Sequence, residues 1–232
     1  MRMPTSFRPS TWLRRSAAPA SLCLLLTACG GGGDGDAGNT NVYNLDAAIT
    51  RALQDGLQIN GLTGSANGVS FTLSMTFTPQ PDAVFEGVLR KAVRQTITIS
   101  GGGSTTTTTG IAYFGTQPYV DAGAVYDDGG VDVAVATGQL PTAARVGRTG
   151  PLSTTVSYAN ATKQRIDATG TTTWSLDADG SSNALACLRS ELRETGSTAV
   201  ITGRQCFRIN TAGAVLGAVL SVNQGSTSIE FR

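Results

Sequence analysis

The chain has 232 residues, lacks histidine altogether, and carries 17 Lys and Arg against 16 Asp and Glu. Without histidine, a Ser-His-Asp or Cys-His nucleophile is excluded, and a zinc ion would need carboxylates alone as ligands. Once the signal segment described below is removed, the net charge is near −3 (13 basic against 16 acidic residues), which argues against nucleic acid as a partner. The abundance of Gly, Thr, Ser, Ala and Val favours β-structure with glycine-marked turns.

The N-terminus is typical of a secretory signal peptide. A basic region through Arg15 is followed by the apolar run 17–26 and by small residues ending at Ala28. Ten apolar residues are well short of the roughly 20 that a membrane-spanning helix needs. We therefore expect residues 1–28 to be a signal peptide. Its removal leaves 13 basic and 16 acidic residues in the mature chain.

Four residues at the end of this segment, Leu26-Thr27-Ala28-Cys29, resemble the lipobox of bacterial lipoproteins. In that family the cysteine thiol receives a diacylglyceryl group and, after cleavage, often an N-acyl chain. The resemblance implies Cys29 as the lipidation site and the membrane as a partner through acyl chains such as palmitate. Gly30 follows the cysteine, and likeness to Gram-negative lipoproteins implies the outer membrane, with its periplasmic or surface face undetermined. An ordinary secretory signal ending in Ala-Cys is the alternative.

Residues 29–40 form the next predicted unit, the lipidated cysteine followed by a Gly-rich tether. A flexible tether of this length has an end-to-end distance of about 15 to 20 Å. The remaining residues, 41–232, are predicted to be a single β-rich domain. It begins with one short helix, capped by Asn44, with Leu45, Ile49 and Leu53 on one face and Gly56 at its C-terminal end.

The clearest strand is residues 69–78, in which apolar residues alternate with Ser and Thr. Pro79 and Pro81 are predicted to end it, the Gly-rich stretch 61–68 is interpreted as a turn, and residues 83–100 as one long or two short strands. Further strands are predicted at 104–109 continuing to 114, 119–126, 131–137, 152–159, 165–176, 214–223 and 227–231. The Asp127-Asp128-Gly129-Gly130 stretch is interpreted as a hairpin turn rather than a calcium site.

A second acidic stretch, Asp177-Ala178-Asp179-Gly180, begins like a calcium loop. Such a loop needs Gly at its sixth position and Glu at its twelfth, where this chain has Ser182 and Leu188. We therefore predict a turn there, and neither a metal nor a cofactor.

The two cysteines of the mature domain, Cys187 and Cys206, are predicted to form a disulfide, because exported proteins oxidise such pairs. A turn at Gly196-Ser197 would pair residues whose numbers sum to 393, which places these cysteines opposite each other, about 4.5 to 5.5 Å apart at Cα. The same register places Arg189 opposite Arg204, an unfavourable pairing. A redox-active or metal-binding role is the alternative, but the chain has no Cys-x-x-Cys motif.

About ten strands with short connections predict an all-β fold, an antiparallel meander curled into a barrel or half-barrel; a β-sandwich is the alternative. Residues 140–174 resemble segments of uncharacterised Gram-negative lipoproteins, a likeness that implies no activity. The favoured function is non-enzymatic: a lipid-anchored envelope protein with a binding or structural role and an unidentified small-molecule, lipid or protein ligand. The alternatives are a transmembrane β-barrel of the outer membrane and an envelope hydrolase built on two carboxylates.

Overall fold

A computed structural model describes residues 39–224 and 227–232. The predicted signal peptide, Cys29 and nearly all of the predicted tether lie outside the described residues. The described chain contains one helix, α1 (Leu45–Gln54), and twelve strands. The strands are β1 (Leu57–Ala66), β2 (Val69–Phe85), β3 (Val88–Gly101), β4 (Ser104–Gly115), β5 (Val120–Tyr126), β6 (Val131–Thr137), β7 (Thr149–Tyr158), β8 (Ile166–Asp179), β9 (Asn183–Glu194), β10 (Val200–Asn210), β11 (Val215–Gln224) and β12 (Thr227–Phe231).

The twelve strands form one antiparallel sheet in which each strand pairs with its neighbours in sequence. The sheet curls into a nearly closed barrel. Its two edges meet where Thr63 of β1 and Arg232, just after β12, exchange two backbone hydrogen bonds of 2.9 and 3.0 Å. The predicted all-β meander and barrel are therefore confirmed, with twelve strands rather than about ten, and the sandwich is not formed. Curling the sheet brings its two edge strands together, which protects backbone groups that could otherwise pair with another chain.

The predicted helix is confirmed in its position and its caps. The Asn44 Oδ1 accepts a hydrogen bond from the backbone N–H of Ala47 at 2.8 Å, and Gly56, after the C-cap, adopts φ +81°. The helix lies across one end of the barrel. Its Asp46 carboxylate accepts a hydrogen bond from the backbone N–H of Tyr119, and its Arg51 donates to the carbonyl of Ala212. The helix thus closes the end of the barrel where these loops meet.

The stretch interpreted as a Gly-rich turn is mostly strand. β1 extends to Ala66, and only Asn67 and Gly68, both with positive φ, form the turn to β2. Gly61 adopts φ +70° beside an irregularity in the pairing between Ile59 and Leu62. A β-bulge uses glycine in this conformation without ending the strand. Gly61, which was interpreted as a turn residue, therefore lies at a bulge within β1.

The prediction that Pro79 and Pro81 end the second strand is wrong. β2 continues through both to Phe85, and the turn to β3 is Glu86-Gly87. β1 pairs with β2 only as far as Phe77, and the β2–β3 pairing is irregular between Gln80 and Ala83. Pro79 is tolerated because β1 no longer pairs with β2 beyond Phe77, so no backbone N–H is needed on that side. Pro81 is tolerated because the irregularity leaves it without a paired residue on β3.

The end of the β2–β3 hairpin folds over the outside of the barrel. Phe85 stacks on Tyr113 of β4, with ring centroids 4.5 Å apart and planes at 7°. Together with Ala122 and Val131 these residues form a small apolar cluster separate from the main core. The hairpin therefore covers the outer face of β4, β5 and β6, where the β5–β6 pairing is only three residues long.

The cysteine prediction is confirmed. Cys187 and Cys206 are paired residues of β9 and β10 in the predicted register and are joined by a disulfide. Their Cα atoms are 3.9 Å apart, closer than the predicted separation of about 4.5 to 5.5 Å. The connection differs from the prediction: the strands end at Glu194 and resume at Val200, so the loop is longer than a two-residue turn. Both cysteines are buried, and they lie on the outer side of the sheet, opposite to the side on which Phe207 enters the core.

The unfavourable pairing of Arg189 with Arg204 is real and is neutralised by a neighbour. Asp177 of β8 accepts hydrogen bonds from both guanidinium groups through the same carboxylate oxygen, and this oxygen lies 3.6 Å from the Cys187 Sγ. Asp177 belongs to the stretch interpreted as a turn, but β8 continues to Asp179. The carboxylate therefore covers the disulfide on the barrel's outer face.

Candidate functional site

The inside of the barrel contains a cavity of about 320 Å³. Residues from β3 to β11 line it, which places it within the barrel rather than between surface loops. Side chains of the helix and of buried strand residues such as Phe77, Phe207 and Leu176 fill the barrel nearer the helix. Thr172 and Ser190 line the cavity near the opposite end, and Ser190 is exposed to solvent. The cavity is thus closed by the core on one side and accessible on the other.

One wall of the cavity is mainly apolar. Leu188 and Leu192 of β9, Ile201 of β10 and Leu220 of β11 line it, together with the polar Ser190 and Gln205. Their strands alternate, so residues between them face outward, as the outward disulfide of β9 and β10 shows. An apolar wall with a few polar groups opposite is the usual composition of a small-molecule site.

The facing wall, on β5, β6 and β7, carries two carboxylates. Asp121 accepts a 2.8 Å hydrogen bond from the Ser153 hydroxyl and another from the backbone N–H of Gly123. Asp132 accepts a 2.8 Å hydrogen bond from the Tyr126 hydroxyl. Both aspartates line the cavity. The hydrogen bonds fix the orientation of both carboxylates on this wall.

The burial of this wall changes the acidity of its groups. Burial of Asp121 raises its pKa above the ordinary range, and the charge of Asp132 raises it further, whereas the hydrogen bonds from Ser153 and Gly123 lower it. Burial also raises the pKa of Tyr119, with a further contribution from Asp121, so Tyr119 stays a neutral phenol. A perturbed carboxylate beside a cavity is a common feature of functional sites.

A backbone irregularity in β5 places these side chains. The β4–β5 pairing shifts between Tyr113 and Phe114, and Gly123 adopts φ +128°. A Cβ atom on Gly123 would lie 2.1 Å from the carbonyl oxygen of Asp132, so only glycine fits there. Because of this shift, both Asp121 and Ala124 face the interior, although they are three residues apart.

A buried hydroxyl next to this wall has no hydrogen-bond partner among the described residues. Ser157 of β7 pairs with Asp132 of β6, so the two side chains lie on the same side of the sheet. Ser157 is only 1% exposed, and its Oγ makes no hydrogen bond within the described part of the chain. A buried polar atom without a partner is costly, and such atoms often mark a functional position.

The residues predicted as sites and the residues of this cavity do not coincide. Cys187 and Cys206 lie on the outer face, Cys29 lies outside the described residues, and the predicted turn at residues 127–130 is confirmed as a turn. Sequence reasoning missed Asp121 and Asp132. A signal was present, since each is an acidic residue within an otherwise apolar predicted strand, and such residues are seldom buried without a reason.

Two further observations concern the described residues, 39–224 and 227–232. They contain no group of three or more His, Cys, Asp or Glu side chains arranged to hold a metal ion. They also contain no helix with the length and apolar character needed to cross a membrane. Compared with protein-family models, with curated proteins and with solved structures, the chain matches none.

Proposed function

We propose that this protein is a lipid-anchored component of the bacterial cell envelope that binds a small organic molecule inside its barrel. The observation that carries the binding role is the interior cavity of about 320 Å³, with a mainly apolar wall on β9 to β11 and hydrogen-bonded carboxylates on β5 and β6. The lipobox-like residues 26–29 support the anchor, Gly30 after them supports the outer-membrane location, and the disulfide is in keeping with an oxidising compartment.

The outer surface of β2, β3 and β4 supports a barrel that stands in water. Hydroxyl side chains cover this surface, and cross-strand pairs bond to each other, as Thr98 does with Thr107 at 3.1 Å and Ser100 with Thr105 at 2.9 Å. Their neighbours along and across the strands are also Thr or Ser: Thr72, Ser74, Thr76, Thr78, Thr96 and Thr109. A lipid-facing barrel surface is an apolar band. This argues against the transmembrane alternative.

A hydrolase is the second candidate, favoured by two carboxylates that line one cavity. Asp121 and Asp132 would act as the acid and base of such an enzyme. They lie on adjacent strands of the same wall, whereas paired carboxylates in glycosidases flank the bond that is cleaved. Binding without chemistry therefore fits the arrangement better.

The anchor is tested by replacing Cys29 with serine in the full-length chain. We expect the variant to lose all incorporation of labelled palmitate and to leave the membrane fraction, because serine cannot form the thioether. Cys23→Ser serves as the control and should stay lipidated, since Leu22 before it does not suit the cleavage site. Continued labelling of the Cys29→Ser protein would show that the lipid site has been assigned incorrectly.

The binding role is tested by filling the cavity. Gly203 of β10 lines it, and a Cβ atom there meets nothing closer than 3.9 Å, so Gly203→Leu should fold with its side chain inside the barrel. Gly217 of β11 pairs with the outward Arg208 and has open space around it, so Gly217→Leu is the matched control outside.

We expect native mass spectrometry of the purified protein to show a bound small molecule with the wild type and with Gly217→Leu. With Gly203→Leu the affinity should fall at least about tenfold, which corresponds to about 1.4 kcal/mol of binding free energy, and the occupied fraction should fall with it. Bare protein in all three samples, or equal occupancy in the two variants, would contradict binding inside the barrel.

A further inference from the structure

We propose that the gap between β5 and β6 binds an extended, acidic peptide segment of another protein, which adds to the free edge of β6 as a strand and pairs a carboxylate with Arg90. This site lies in the wall of the barrel rather than in the interior cavity, and it does not depend on the proposed function. It follows from the unpaired backbone of β6, from the groove beside that backbone and from the charge that lines the groove.

The edge of β6 that faces β5 is free over the second half of the strand. The two strands pair only through Gly123–Val125 and Val131–Val133, and they separate beyond this point. Ala134, Ala136 and Thr137 pair with β7 on the other side, and no described strand pairs with them on the side of β5. Backbone groups of alternate residues point to opposite sides of a strand, so this stretch presents unpaired donors and acceptors to the gap.

A groove of about 330 Å³ runs beside this free edge. The tip of the β2–β3 hairpin and the start of β5 form its other walls, and its apolar lining consists of Phe85, Val120, Ala122, Val133 and Val135. An apolar cavity of about 150 Å³ holds one benzene molecule, so the groove has room for about two side chains of moderate size. Peptides that bind by strand addition use this combination: main-chain hydrogen bonds give affinity, and pockets for alternate side chains give specificity.

The uncompensated charge in the groove is that of Arg90. Its Nε is buried without a hydrogen-bond partner among the described residues, and no described carboxylate forms an ion pair with its guanidinium. The two carboxylates that also line the groove have other partners: Glu86 pairs with Lys163, and Asp121 accepts hydrogen bonds from Ser153 and from a backbone N–H. A buried donor without an acceptor is costly, and a carboxylate is the strongest acceptor for a guanidinium. An acidic side chain of the peptide would supply it.

An extended peptide accounts for these features better than a small anion does. A small carboxylate would satisfy Arg90 but would leave the backbone of β6 unpaired. A strand rises about 3.3 Å per residue, so a segment of about four to six residues spans the edge from Ala134 to Thr137. Val135, which is 58% exposed, would then be partly covered by the added strand.

The test measures the binding of synthetic peptides to the protein purified after expression of the full-length chain. The probe is fluorescently labelled acetyl-Thr-Val-Thr-Glu-Thr-Val-Thr-amide, whose two valines and glutamate share one face of the strand. Its matched control has glutamine in place of glutamate. Fluorescence anisotropy should show the glutamate peptide binding at least about tenfold more tightly, and the difference should shrink as salt screens the charges.

The contact with Arg90 is tested on the protein side by Arg90→Gln. This variant should bind the glutamate peptide about tenfold or more weakly and the glutamine peptide within about threefold of the wild type. Lys91→Gln is the matched control, because it removes the same charge from the next residue of β3, which pairs with Asp82 and does not line the groove. It should change neither affinity.

Strand addition is tested by methylating the peptide backbone and by hydrogen exchange. Two further glutamate peptides carry N-methyl groups on one or the other set of alternate amides, and at least one of them should bind about tenfold or more weakly, because a methylated amide cannot donate to β6. Adding the unmethylated glutamate peptide to the wild type should slow amide exchange within residues 134–137.

Each part of the proposal has a result that would overturn it. Equal binding of the glutamate and glutamine peptides, or equal effects of Arg90→Gln and Lys91→Gln, would rule out the contact with Arg90. Undiminished binding of both methylated peptides, unchanged exchange within residues 134–137, or no binding of the glutamate peptide up to about 1 mM would rule out strand addition. The peptide comparisons use the wild-type protein, so a folding defect in Arg90→Gln would not affect them.

Discussion

Replacing Gly64 with valine is expected to destabilise the barrel by about 3 kcal/mol, the upper end of the usual cost of overfilling, because the substitution acts where the two edges of the sheet meet. A Cβ atom on Gly64 would lie 2.5 Å from the carbonyl oxygen of Glu230 and 3.1 Å from side-chain atoms of Ile229 and Phe231. Overfilling a packed site costs about 1 to 3 kcal/mol, and a clash with backbone cannot be relieved by a rotamer change. β12 would have to move away from β1.

This displacement should break the two hydrogen bonds between Thr63 and Arg232. Urea unfolding should therefore show a lower midpoint, and hydrogen exchange should show early loss of protection at both edge strands. Gly217→Val in β11 is the control, since a side chain there meets nothing within 4 Å. Valine favours strands over glycine, so this variant should be as stable as the wild type. Equal stability of the two variants would mean that the edges do not depend on close approach at Gly64.

Much of the fold follows from local patterns in the sequence. The alternation of apolar residues with Ser and Thr indicated β2, and the Asp-Asp-Gly-Gly stretch indicated the turn at residues 127–130. Asn44 and Gly56 indicated the two ends of the helix. These features depend on neighbours within a few residues, so a single sequence contains them. The disulfide register also follows, because a hairpin fixes which residues face each other.

The features that were missed depend on distant parts of the chain. Pro79 is tolerated because β1 stops pairing at Phe77, and Gly64 is needed because β12 approaches from the other end of the chain. Neither partner is visible from the surrounding residues. A glycine or a proline has the same local signature whether it makes a turn, a bulge or a close contact between strands.

The candidate site was missed for a related reason. Asp121 and Asp132 looked like ordinary strand residues, and their shared orientation depends on the shift in β5 at Gly123. A shift of one residue exchanges the two faces of a strand. Which acids line the interior could therefore not be deduced until that irregularity was known, whereas the lipobox resemblance and the cysteine pair required only sequence.

Removal of the disulfide is also expected to have a large effect on stability. Replacing Cys187 and Cys206 together with alanine should lower the free energy of unfolding by about 3 kcal/mol, within a usual range of about 2 to 5 kcal/mol. The bond joins residues 19 apart in sequence, so it restricts the unfolded chain. Both cysteines are almost completely buried, at 1% and 0% exposure. Dithiothreitol should therefore leave the bond intact in the native protein.

Reduction provides the control for this prediction. When the wild type is unfolded and refolded under strongly reducing conditions, its free energy of unfolding should become close to that of the double-alanine variant. Neither unfolded chain then contains a cross-link that restricts its conformations. Any small remaining difference reports the packing of the two thiols beneath Asp177, Arg189 and Arg204. If the full difference survived reduction, the stabilisation would come from packing on the outer face of β9 and β10, and the cross-link itself would contribute little.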